Sequence, residues 1–260
     1  MNKAHYHHTH INTVDCDATI AYYSKYFGAV PLTYKNKSKA LFTERSFLLL
    51  DQVAQQPQTN IGSSLWHIGW SGVDGPSEFE WRVNEGISVH APVTPLNDDH
   101  WMYFNGPSNE LVEVFTGNKN HRFEHLHLLA TDVNETMNWF ETYLGLKAVN
   151  KTAQPWSNKL FKWNHLFVDN INIYVYGKPV EERTWFPKTF KPTDGSAFDH
   201  IAFSFENIEL EYNRMVTLGV EIVKEIEIDP LHDLKRFLVR GPDLLLVEIV
   251  EEKPIPSGIW

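Results

Sequence analysis

Short half-apolar stretches alternate with amphipathic ones along the chain, and the alternation repeats. From His8 the segment HTHINTV alternates as a half-buried strand. A helix is predicted to begin near Asp15, whose carboxylate can cap free backbone N–H groups. Its aromatic pair, Tyr22 and Tyr23, is placed toward the core, and Gly28 suits a left-handed C-terminal cap. Shorter strands follow, and ALFTER and FLLLDQV, meeting at Arg45–Ser46, read as a hairpin.

The same order recurs from His125, where HLHLLATDVNETMNWFETYLGL carries Asp132 seven residues on, then Trp139–Phe140, then Gly145. A second pair of segments opens at His67 (HIGWSGVD) and His200 (HIAFSFEN). Each runs through a helical stretch to a glycine nineteen residues on, Gly86 or Gly219. Each closes with Gly-Pro and an apolar strand whose glutamate, Glu113 or Glu248, lies seven residues past that glycine. The chain order is A, B, A′, B′, which predicts an α+β protein of four βαβββ modules. Polar or proline-bearing stretches separate them: AQQPQTNIGSS, GNKNHR and GKPVEERTWFPKTFKPTDG. Two tandem domains are expected, residues 1–117 and 123–260, joined by a linker at 118–122. The third stretch is long and aromatic enough to fold over a site as a lid.

Composition narrows the function. The formal net charge is −10 and no basic stripe is visible, so nucleic acid is not an expected partner. No apolar run approaches the roughly 20 residues that cross a bilayer, and MNKAHYHHTH lacks a signal-peptide core. A cytoplasmic protein acting on a small molecule is expected, with homo-oligomerisation left open. The single cysteine, Cys16, excludes an internal disulfide and a thiolate metal cluster, and reads as a passive buried thiol. Thirteen histidines are the oddity; any metal must be held by imidazoles and carboxylates. One histidine opening a strand is as readily a core residue, but four at matched positions point to ligands. A glutamate inside LVEVF or LVEIV is costly to bury without a cation or donors. His10 and His127 lie two residues past His8 and His125, so alternation puts them on the same face, as substrate contacts, supporting groups or a general acid/base. Either member of each pair can be the ligand, and the spacing to Asp15 and Asp132 favours His8 and His125. Trp66 and Trp70 are expected to point away from that face.

A strand opening with histidine, an aspartate seven residues later, an aromatic pair and then Phe/Leu-Gly resembles the vicinal oxygen chelate superfamily, over nearly the whole chain. That family includes glyoxalase I, fosfomycin and bleomycin resistance proteins, epimerases and extradiol dioxygenases. The resemblance implies two curved mixed sheets, each made of two modules around a metal. It implies the ligand sets His8, His67 and Glu113 in the first domain and His125, His200 and Glu248 in the second. Two histidines and one carboxylate leave positions open for substrate and oxygen, as non-heme Fe(II) enzymes require; Mn²⁺, Co²⁺, Ni²⁺ and Zn²⁺ also suit such donors. Glyoxalases add a fourth ligand from the last strand of the first module, where FLLLDQV offers only Asp51 and Gln52 and INIYVYG offers none. Extradiol enzymes carry Tyr-x-x-Asp-Pro-x-Gly-x-x-x-Glu, and Tyr103 to Glu113 keeps that spacing, with Gly106 and Asn109 replacing the Asp and Gly. The matching position in the second domain is Leu238. The resemblance therefore implies an extradiol-type or related Fe(II) dioxygenase, with Tyr103 bonding substrate and His10 or His127 as base. A glyoxalase-like lyase or isomerase, and a non-catalytic binding or resistance protein, are the alternatives.

Overall fold

A computed structural model describes residues 3–156 and 159–253; the outermost residues of the two expected domains, 1–2 and 254–260, lie outside that range. All four βαβββ modules are present. The first comprises β1 (His5–Thr13), α1 (Cys16–Phe27), β2 (Val30–Tyr34), β3 (Ser38–Phe42) and β4 (Phe47–Gln52). The second comprises β5 (Leu65–Ser71), α2 (Gly75–Asn84), β6 (Val89–Leu96), β7 (Asp99–Asn105) and β8 (Leu111–Phe115). The third comprises β9 (Arg122–Ala130), α3 (Val133–Leu144), β10 (Gln154–Trp156), β11 (Phe161–Val168) and β12 (Ile171–Gly177). The fourth comprises β13 (Phe198–Phe205), α4 (Ile208–Thr217), β14 (Ile222–Asp229), β15 (Leu234–Arg240) and β16 (Leu246–Glu251).

Each helix starts where a short polar side chain takes up free N–H groups. Asp15 accepts from Asp17 and Ala18, Asp74 from Ser77, and Asp132 from Asn134 and Glu135. In the fourth module Asn207 does the same for Leu210. Gly28 and Gly145 end their helices at φ 70° and 68°, the left-handed region that carries little penalty for glycine. In the aromatic pairs, Tyr23 and Phe140 are fully buried while Tyr22 and Trp139 are half-buried.

The modules form two eight-stranded mixed sheets, but the expected boundary at 118–122 does not divide them. One sheet runs β14-β15-β16-β13-β1-β4-β3-β2, and the other β10-β11-β12-β9-β5-β8-β7-β6. The first module thus shares a sheet with the fourth, and the second with the third. Residues 1–117 and 123–260 each contribute half of both sheets. The reason lies in the opening strands: β1 pairs antiparallel with β13, and β5 with β9. An aromatic seam joins the sheets, with Tyr6 of β1 against Phe123 of β9 and Tyr23 and Phe27 of α1 against Trp70 of β5. Trp70 therefore faces the core, as expected.

Nothing lies within 4 Å of the Cβ that a substitution would add at Gly28. Gly28→Ala is expected to cost about 1–2 kcal/mol through the backbone alone. Urea denaturation should show a lower midpoint with an unchanged slope.

Candidate metal centres

The central strand pairs each carry two bulges, and these place the candidate ligands. Between β5 and β9 the register passes from Leu65↔Leu128 to His67↔His127, leaving Trp66 extra, and from Gly69↔His125 to Trp70↔Phe123, leaving Glu124 extra. Between β1 and β13 the extra residues are His7 and Asp199. Each of the four immediately precedes a module's candidate histidine. In a regular strand it would face away from that histidine; a bulge re-aims it. Glu124 Oε2 lies 2.6 Å from His125 Nδ1, Asp199 Oδ1 lies 2.6 Å from His200 Nδ1, and His7 Nδ1 lies 2.7 Å from His8 Nδ1. The Trp66 ring lies 4.5 Å from that of His67. Trp66 thus borders the site, contrary to the strict-alternation expectation.

In the β5–β9 sheet, Glu113 of β8 reaches both opening strands. Its Oε2 lies 3.0 Å from His67 Nε2 and 2.8 Å from His125 Nε2. His127 Nδ1 lies 3.1 Å from His67 Nε2, and these four side chains are all buried. Burial opposes a charge on His125, yet Glu113 and Glu124 overcome it and raise its pKa to about 10. Burial would also keep Glu113 neutral, but the two imidazoles hold its carboxyl well below the usual carboxylate range. His127 is pushed well below the ordinary imidazole value by burial and by its histidine neighbours. Tyr103 pairs with Glu113 across β7 and β8, and burial beside that carboxylate pushes its hydroxyl well above 10.

In the β1–β13 sheet, Glu248 Oε2 lies 3.2 Å from His8 Nε2 and 3.6 Å from His200 Nε2. His10 stacks on His200 with ring centroids 4.4 Å apart. Burial opposes a charge on His200, but Glu248 and Asp199 raise its pKa to about 9. Arg236 Nη1 donates to Glu248 Oε1 at 2.9 Å. Leu238 faces Glu248 in register, the place that Tyr103 takes beside Glu113.

The structure therefore corrects both expected ligand sets by exchanging one histidine between them. His67 and Glu113 meet His125 rather than His8, and His200 and Glu248 meet His8 rather than His125. Opening strands of different halves lie side by side, which the tandem arrangement did not allow. Both sets suit a divalent ion. His67 Nδ1 is buried without a hydrogen-bond partner in one, as is Nε2 of the adjoining His127, and so are His8 Nε2, His200 Nε2 and Glu248 Oε2 in the other. Neither has a carboxylate at the fourth position, taken by Leu49 and Tyr174 in the register of β4 and β12. Asp51 lies one alternation further along β4. Glu124, Asp199 and His7 escaped the sequence reading because adjacency in a strand signals opposite faces.

Beside His125 and Glu113 opens a cavity of about 800 Å³, walled by Trp66, Trp101, Tyr103, Tyr174, Tyr176 and Trp185. Trp185 belongs to the long aromatic stretch before β13, and its ring stacks on Trp66 at 5.3 Å. That stretch therefore covers part of the cavity, as a lid would. No described helix is long and apolar enough to cross a membrane.

Fold and site together define a four-module α+β protein with two interleaved histidine–carboxylate sets. Residues 122–249 match the model of the Glyoxalase/Bleomycin resistance protein/Dioxygenase superfamily. Those residues belong to the vicinal oxygen chelate superfamily, and the chain has its fold throughout. Glyoxalase I from Zea mays superposes with a TM-score of 0.73 at 16% identity, covering 96% of this chain and 92% of the other. A Bacillus subtilis protein described as a candidate dioxygenase superposes with a TM-score of 0.64 at 14% identity, covering 96% and 86%. No curated protein matches the sequence.

The interleaving is testable. His67→Ala and His125→Ala should each remove the same equivalent of bound metal, and the double variant should remove no more, as read by elemental analysis after dialysis. Losses that add would return the two residues to separate sites. Glu124→Gln should weaken metal binding about 10- to 100-fold by releasing the orientation of His125. Gly69→Ala should abolish that site, because a Cβ there would fall 2.1 Å from His125 Cε1.

Proposed function

We propose that this protein is a metal-dependent enzyme of extradiol-dioxygenase type whose reaction takes place in the aromatic cavity of the β5–β9 sheet. One observation carries the reading: three candidate ligands, Tyr103 and an 800 Å³ aromatic cavity meet at one place, with no carboxylate at the fourth position. His67, Glu113 and His125 hold the ion, with Fe(II) favoured. When bound, that ion supplies adjacent open positions for a diol and oxygen and a route for electrons between them. Glu124, itself held by Asn172, keeps the His125 ring turned toward Glu113. His127 lies in the cavity wall with Nε2 unpartnered, placed to take a proton from a substrate hydroxyl. Tyr103 donates a hydrogen bond to the substrate, and the tryptophans exclude water and stack on its ring. His10, the other candidate base, lies in the opposite sheet and takes no part.

The protein loaded anaerobically with Fe(II) should consume oxygen with catechols and yield a coloured ring-opened product. Tyr103→Phe should lower kcat about 10²-fold with metal content unchanged. Isomerisation of a thiohemiacetal without oxygen uptake would instead establish lyase or isomerase chemistry. Failure to retain any divalent ion with folding intact would leave the cavity a small-ligand binding site.

A further inference from the structure

The β1–β13 sheet holds a third cluster, built on Asp51, that shares His10 with the neighbouring group of His8 and His200. Asp51, at the end of β4, divides its carboxylate between two imidazoles. Oδ2 lies 3.3 Å from His10 Nε2, and Oδ1 lies 2.9 Å from His232 Nε2. His10 and His232 belong to different modules, on β1 and on the turn between β14 and β15. Both are buried, whereas the Asp51 side chain is 35% exposed, which leaves an approach from solvent. Ser38 Oγ lies 2.7 Å from His232 Nδ1 and fixes that ring with Nε2 toward Asp51.

We propose that His10, Asp51 and His232 form a second, structural metal site on this sheet, a clasp between the first and fourth modules for a divalent transition ion such as Zn²⁺. The donor set is two imidazoles and a carboxylate, with ligand atoms all within 4.8 Å of one another. Donors about 2.0–2.1 Å from a tetrahedral ion stand about 3.4 Å apart, which the 3.3 Å between His10 and Asp51 already matches and the 2.9 Å between His232 and Asp51 reaches with a small outward shift. The ion pairs of Asp51 among the described residues are to these two imidazoles, and Arg236 is engaged by Glu227, Asp229 and Glu248. Asp51 is not at the position equivalent to Glu113 and Glu248, so this is not the fourth ligand of either set.

The proposal is independent of the chemistry assigned to the cavity. Its test is Co(II) titration of the full chain, with stoichiometry from equilibrium dialysis and thermal midpoints measured with and without Zn²⁺. Asp51→Asn and His232→Gln should each lower bound Co(II) by one equivalent, and this loss should add to that of His67→Ala. They should also abolish part of the Zn²⁺-dependent rise in midpoint. Unchanged stoichiometry in both variants would overturn the site and leave Asp51 as an ion-pair staple. A loss with Asp51→Asn but none with His67→Ala would fail the cavity reading alone. Should Asp51→Asn not fold, Co(II)-shifted imidazole protons of His232 in the unaltered chain decide the matter, and their absence overturns the site.

Discussion

The antiparallel pairing of opening strands, β1 on β13 and β5 on β9, is the constraint on which the rest depends. It brings the first histidine of one module beside that of another and sets both across from a glutamate on the last strand. The four bulges keep the pairing while turning His7, Trp66, Glu124 and Asp199 onto the face of the histidines that follow them. Without the extra residue, Glu124 would face away from the site and His125 would lose the carboxylate that orients it.

The two sheets repeat one plan with different fillings. Where β7 offers Tyr103 and Trp101, β15 offers Leu238 and Arg236 in the same register. An arginine on Glu248 replaces an open aromatic wall. The residue between the histidine and the glutamate also differs: Gly69 lies opposite His125, and Ala202 opposite His8. A single methyl group separates a centre where an imidazole rests on bare backbone from one where it cannot.

Much of this was legible from residue spacing. The caps at Asp15 and Asp132, the left-handed glycines and the repeated histidine-to-glutamate plan are local, and local chemistry determines them. Asn109, where the related signature has glycine, takes φ 64°, which asparagine tolerates better than most residues. The partner of each module was not legible. Four similar modules can close two sheets in more than one way, and the choice is made by long-range contacts such as Tyr6 with Phe123, which periodicity does not record. Bulges were hidden for the same reason, because they are defined only by the strand opposite.

The nesting of modules, first with fourth around second with third, also sets an order of assembly. The second and third modules are neighbours in sequence and can close their sheet across one short connection. The first module emerges from the ribosome earliest yet finds the strand for β1 only after the fourth has been made. Until then the His5–Thr13 strand, rich in histidine and threonine, has β4 on one side and an open edge on the other. Folding of that sheet therefore carries the high contact order of the whole chain, while the cavity-bearing sheet is free to form before synthesis ends.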